Sequence, residues 1–74
     1  MKLNVRCGVN NLNNSDFNGD DVTLDYVRGQ VSLLFGLSAV DHEVYVNGIL
    51  ATSMTTPLHE GDSVEFRKKS GAKG

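Results

Sequence analysis

The 74-residue chain has one cysteine, one proline and no tryptophan, and its seven Lys and Arg are outnumbered by nine Asp and Glu, for a net charge of −2. A lone cysteine excludes an internal disulfide and a cysteine-rich zinc site, and it fits a reducing, cytoplasmic setting. The missing positive excess argues against non-specific nucleic-acid binding, whose affinity comes from neutralised phosphates. Long apolar runs are missing as well: Leu33-Leu34-Phe35 is far too short to cross a membrane. The alternating start Met1-Lys2-Leu3-Asn4-Val5-Arg6 lacks the basic and apolar regions of a signal peptide, so Asn13-Asn14-Ser15 reads as chance rather than a glycosylation site. What is present is enough for one small domain, with nine Val, eight Leu and five aromatic residues to build its core.

Leu3, Val5, Cys7 and Val9 recur at period two, which predicts a strand with those four side chains turned inward and Cys7 in the core. Residues 10–21 are dominated by Asn and Asp, including Asn18-Gly19, and read as a long mobile loop; Val22-Thr23-Leu24 resumes an extended pattern that closes a hairpin. The spacing then changes. Leu24, Val27, Val31 and Leu34 mark one buried helix face, with Asp25 as its cap and Gly36 as its stop. Gly29 inside this stretch weakens a helix by about 1 kcal/mol relative to Ala, which predicts an irregular start. Residues 42–46 alternate again with Val44 and Val46 inward, Asn47-Gly48 turns the chain, and residues 49–51 form a short return strand. After the turn Glu60-Gly61-Asp62, residues 63–69 form the last strand with Val64 and Phe66 inward. One helix between two groups of strands predicts an α+β fold, a mixed sheet of four or five strands packed on that helix with its other face in solvent.

The segments Val44-Tyr45-Val46-Asn47-Gly48 and Leu58-His59-Glu60-Gly61-Asp62-Ser63-Val64-Glu65-Phe66, followed by a glycine-containing tail ending at Gly74, resemble the ubiquitin-like β-grasp family. Within it the chain is similar to the small bacterial sulfur carriers of thiamine and molybdopterin synthesis. The resemblance implies a β-grasp domain over residues 1–69 and a flexible tail over 70–74. It also implies a working group, the Gly74 carboxylate, which an ATP-dependent activating enzyme adenylates for sulfur delivery or for attachment to an acceptor protein. Terminal glycines suit a narrow tail that enters another protein's active site, and five residues give it a reach of roughly 15 Å. The family's usual Gly-Gly end is replaced here by Lys73-Gly74, which asks for a wider or acidic channel in the partner. Gly71-Ala72-Lys73-Gly74 is similar to the Gly-x-Lys-Gly ends of ubiquitin-like proteins encoded beside activating-enzyme homologues in mobile bacterial elements. Tyr45, Glu65 and Arg67, on the outward sheet face, are the expected docking residues of a monomer without a cofactor.

Other constellations are weaker. Asn14, Asp16, Asn18, Gly19 and Asp25 fall on positions of a calcium-binding loop, but the first and last positions carry the wrong residues and no helix precedes them. His42 and His59 have no Cys or His at metal-ligand spacing, and His59 beside Glu60 reads as an exposed turn residue. No glycine elbow surrounds a serine and no phosphate-cradling glycine loop is present, so the chain is not expected to be an enzyme. Two further classes stand beside the modifier or carrier: a β-grasp interaction module that needs no Gly74, and a small nucleic-acid-associated regulator suggested by Arg67-Lys68-Lys69.

Overall fold

A computed structural model describes residues 1–19, 21–37 and 42–68. Among them the chain forms β1 (Lys2–Cys7), β2 (Asn10–Asp16), α1 (Leu24–Phe35), β3 (His42–Val46), β4 (Ile49–Leu50) and β5 (Ser63–Lys68). The strands make one mixed sheet in the order β2-β1-β5-β3-β4, an α+β architecture. β1 and β5 run parallel at its centre, and the other three pairings are antiparallel. No helix among the described residues is long and apolar enough to cross a membrane.

The alternation in β1, β3 and β5 does what period two dictates: Leu3, Val5, Val44, Val64 and Phe66 are buried on one face. Leu24, Val27 and Val31 of α1 join them in a single core. Phe17, Val22, Leu37 and Leu58, which lie outside regular elements, complete it. Val46 is half-buried at the edge of this cluster.

Several expectations need correction. The hairpin partner of β1 is β2, within the stretch read as a mobile loop, and the connection is the two-residue turn Gly8-Val9. Gly8 has φ +63°, a conformation glycine adopts without steric cost. The turn takes Val9 out of the strand and leaves it 95% exposed instead of inward. β2 carries little apolar signal because it is an edge strand whose backbone, rather than its side chains, makes the pairing. A register shift between Leu3 and Val5, with Asn14 at φ 53°, marks a bulge that bends this edge. Cys7 is half-buried at the core margin rather than fully inside.

The helix cap is Thr23, not Asp25. Thr23 has extended backbone and its Oγ1 accepts from Tyr26 N at 3.3 Å. The start is regular because each early donor finds an acceptor: Leu24 N donates to Thr56 O at 3.2 Å and Asp25 N to Met54 O at 2.9 Å. Thr23 also bridges Pro57, so the extended pattern read at residues 22–24 is this short bridge and the cap rather than a strand. At the other end Gly36 adopts the left-handed conformation and its N–H donates to Ser32 O, as the stop signal predicts. The reversal there delivers Leu37 into the core, whereas Leu34, read as part of the stripe, is 64% exposed.

The two segments that carry the family resemblance meet in space. Asn47 and Gly48 have φ of 52° and 85°, the pair of positive angles that a tight hairpin turn requires. The Asn47 amide donates from Nδ2 to Asp62 Oδ1 at 3.0 Å, and its Oδ1 accepts from Ser63 N at 3.0 Å. Asp62 also accepts from His59 N at 2.8 Å, which closes the turn at Gly61. That turn extends the parallel ladder, with Gly61 N donating to Lys2 O at 2.8 Å and Asn4 N to Asp62 O at 3.0 Å.

Two glycines in one helix region are expected to respond in opposite directions. Gly29 lies within α1 with open space where a Cβ would sit, so Gly29→Ala stabilises by about 0.5–1 kcal/mol. Gly36→Ala forces a side chain into the left-handed region and costs about 1–2 kcal/mol. For a domain of this size each kcal/mol moves the thermal midpoint by roughly 4–8 °C, readable by circular dichroism. By the same measurement Thr23→Ala loses about 1 kcal/mol, while Asp25→Asn loses only a few tenths, the contribution of its charge at the helix start.

Candidate functional site

The outward face of the sheet inherits its composition from the alternation that builds the core. Strand register lines up one outward residue from each strand: Asn11, Arg6, Glu65, Tyr45 and Leu50. Glu65 is at the centre of the row. Its Oε1 accepts from Arg67 Nη2 at 3.0 Å and its Oε2 from Arg6 Nη2 at 3.2 Å. The Arg67 guanidinium stacks 4.1 Å from the centroid of the Tyr45 ring, and the Tyr45 hydroxyl donates to Glu43 Oε1 at 3.3 Å. A shallow depression of about 410 Å³ lies over the row, bounded by Asn4, Arg6, Asn13, Tyr45, Ser63 and Glu65 among others.

The charges reinforce one another. The hydrogen bond from Arg67 holds the Glu65 carboxyl below its ordinary value against the opposing effect of burial, with Arg6 adding a second bond. The same bond to Glu65 pushes the Arg67 guanidinium up. Both arginines keep half or more of their side-chain surface in solvent while one nitrogen of each is committed to Glu65. The face therefore presents a fixed aromatic ring and two oriented guanidinium groups, side chains of the kind that anchor protein interfaces.

The fold thus brings together Tyr45, Glu65 and Arg67, the three residues expected to dock a partner. Arg6 belongs with them, although its sequence neighbourhood gives no sign of it: the contact spans 59 residues and exists because β1 pairs with β5. Gly71, Lys73 and Gly74, the expected attachment residues, lie outside the described residues, as do all of residues 69–74. The last described strand ends at Lys68, one residue beyond Arg67. Arg67 and Lys68, being adjacent in a strand, project to opposite faces, so they do not form a one-sided basic patch.

Other sequence candidates are dispersed. Asn14 and Asp16 lie in the extended strand β2 and Asp25 in the first turn of α1, which is not the tight loop a calcium site of that spacing needs. Asn14 N donates to Asn4 Oδ1 at 2.8 Å, and Asp16 Oδ1 accepts from the Met1 amino group at 3.3 Å. His59 is exposed, as expected. His42 stands 3.7 Å from Cys7, Nε2 to Sγ, a proximity invisible in spacing because 35 residues separate them. Among the described residues, no group of three or more His, Cys, Asp or Glu is placed to hold a metal ion. No protein-family model matches the chain, and no curated protein matches it either.

The depressed Glu65 carboxyl predicts a specific acid response. A carboxylate whose value falls on folding contributes stability that is present above its unfolded value and is lost as pH drops through the folded one. Thermal midpoints of wild type and Glu65→Gln, measured from neutral pH downward, should therefore differ most at neutral pH, with wild type higher. The gap should close below the ordinary carboxylate range. A gap independent of pH would mean that the network adds packing and no charge stabilisation.

Proposed function

We propose that the chain is a ubiquitin-like β-grasp protein that works as a protein modifier or sulfur carrier, activated at Gly74 by an ATP-dependent enzyme. The observation that supports this reading is the strand order β2-β1-β5-β3-β4 around a single helix, with the first and last strands parallel at the centre. That is the arrangement expected of a β-grasp domain. The last strand, internal to the sheet, ends at Lys68, six residues before Gly74. In the proposed reaction a Gly74 carboxylate oxygen attacks the α-phosphorus of ATP and pyrophosphate leaves. A sulfur or amine nucleophile then attacks the acyl carbon and AMP leaves. The adenylating chemistry belongs to the partner; this chain supplies the acyl group and the surface that presents it.

The docking surface in this proposal is the row around Glu65. Its side chains are held before a partner arrives, so less conformational entropy is lost on binding. Tyr45 and Arg67 are the anchors, and Glu65 and Arg6 hold Arg67 and one another in place. The same preorganised face favours a second reading, an interaction module that needs no chemistry at Gly74.

Intact mass spectrometry of the protein from its native host separates the two. The carrier or modifier reading expects a thiocarboxylate at Gly74 or an isopeptide bond from Gly74 to a lysine. Free carboxylate alone, in cells where partners are expressed, overturns it in favour of the interaction module. In pull-downs with the same lysate, Tyr45→Ala should weaken partner capture at least about tenfold, as truncation of an interface anchor does. Removal of residues 71–74 should leave docking in place and abolish conjugation or sulfur loading.

A further inference from the structure

The dipeptide Asn-Gly occurs twice, at Asn18-Gly19 and Asn47-Gly48, and the fold treats the two asparagines in opposite ways. An asparagine followed by glycine is open to attack by its own backbone. The nitrogen of the following residue, on losing its proton to solvent, bonds to the side-chain Cγ, and the Cγ–Nδ2 bond breaks to release ammonia. Water then opens the resulting five-membered succinimide at either carbonyl, leaving aspartate or its isomer with the chain routed through the β-carbon. The net change is amide plus water to carboxylic acid plus ammonia. Glycine permits this because it has no Cβ to obstruct the approach. What remains to decide the rate is whether the side-chain amide is free to turn toward the next nitrogen.

At Asn47 it is not free. Nδ2 is bound to Asp62 and Oδ1 to the Ser63 N–H, each at 3.0 Å, and the Asn47 N–H is itself bound to Ser63 O at 2.8 Å. Both ends of the amide must be released before Cγ can move. Two hydrogen bonds of ordinary net strength slow that step on the order of thirtyfold. Asn18 is the reverse case. It is exposed, follows the last residue anchored to Met1, and makes no hydrogen bond among the described residues. Gly19 has φ +118° and nothing within 4 Å of the position a Cβ would occupy. We infer that Asn18 is a site of spontaneous succinimide modification in the folded protein, and that Asn47, in the same dipeptide, is protected by the fold.

The two positions also differ in what the product does. Residue 18 is itself exposed and outside the core, so a carboxylate there leaves the core undisturbed. A carboxylate at residue 47 faces the Asp62 carboxylate across the distance now spanned by a hydrogen bond, and the donor is gone. The fold protects the asparagine whose modification it tolerates least.

The test uses the full chain. Folded protein is held in mildly alkaline buffer, sampled over days and digested with trypsin, which places Asn18 in the peptide 7–28 and Asn47 in the peptide 29–67. Peptide 7–28 should acquire the amide-to-acid mass increment as a pair of isomers, with fragment ions locating it at Asn18. Its rate should exceed that at Asn47 by about tenfold or more, as two intact hydrogen bonds require. In denaturing urea the two rates should converge. Comparable rates in the folded protein overturn the proposal, as does an Asn18 that reacts in urea but not in the fold. Asn18→Asp should melt near wild type and Asn47→Asp well below it; equal midpoints would overturn the contrast in tolerance.

Discussion

The parallel pairing of β1 with β5 is the constraint on which the rest of the chain depends. Parallel neighbours cannot be joined by a tight turn, so the chain between them must cross over before β5 enters in the same direction as β1. The helix, the β3–β4 hairpin and the connection over residues 51–62 together make that crossover. Antiparallel partners then occupy the two outer sides, β2 beside β1 and β3 beside β5. Register at the centre is held from one end by the turn at Gly61, whose backbone bonds to Lys2, and by the Asn47 amide, which fastens the neighbouring hairpin to the start of β5.

That central register creates the outward face as well as the inward one. The alternation that buries Val5 beside Val64 also sets Arg6 beside Glu65, with Tyr45 on the far side. A one-residue slip between β1 and β5 would expose the apolar side chains and bury the ion pairs, so the core and the outward face select the same pairing. The face is close to balanced in charge but not inert: its guanidinium groups are oriented by one carboxylate and one aromatic ring and still reach solvent.

The sequence was most informative where side chains, rather than backbone, decide the structure. Val44, Val64 and Phe66 announce their strands by period two, Asn47-Gly48 and Gly36 announce reversals by the backbone angles they permit, and the outward positions of Tyr45, Glu65 and Arg67 follow from the same alternation. β2 was illegible because Leu12 is its one large apolar residue before Phe17; its asparagines have turn chemistry, while its stability comes from ladder bonds to β1. Leu34 fits the helical stripe yet is exposed, because such a stripe does not reveal where the helix ends in relation to the core, and Leu37 takes the buried position after the Gly36 reversal. Thr23 does not stand out as a cap in the sequence because its neighbours Val22 and Leu24 look extended. Arg6 could be assigned an outward direction but not a partner, since sheet order is not written in any local pattern.

The helix N-terminus has an asymmetric consequence for how the molecule breathes. Helix ends ordinarily exchange their amide hydrogens first, because the first turn has no intrahelical acceptors. Here Leu24 and Asp25 donate to the carbonyls of Thr56 and Met54, and Tyr26 to Thr23, so this end opens only if the 53–57 connection lifts with it. The other end carries Leu33 and Leu34 in solvent but is held by the Gly36 cap, with Phe35 packed against the core and Leu37 inside it. The two ends are thus anchored by different means, the first by backbone bonds to the 53–57 connection and the second by apolar side chains, of which Phe35 borders the half-buried margin where Cys7 meets His42.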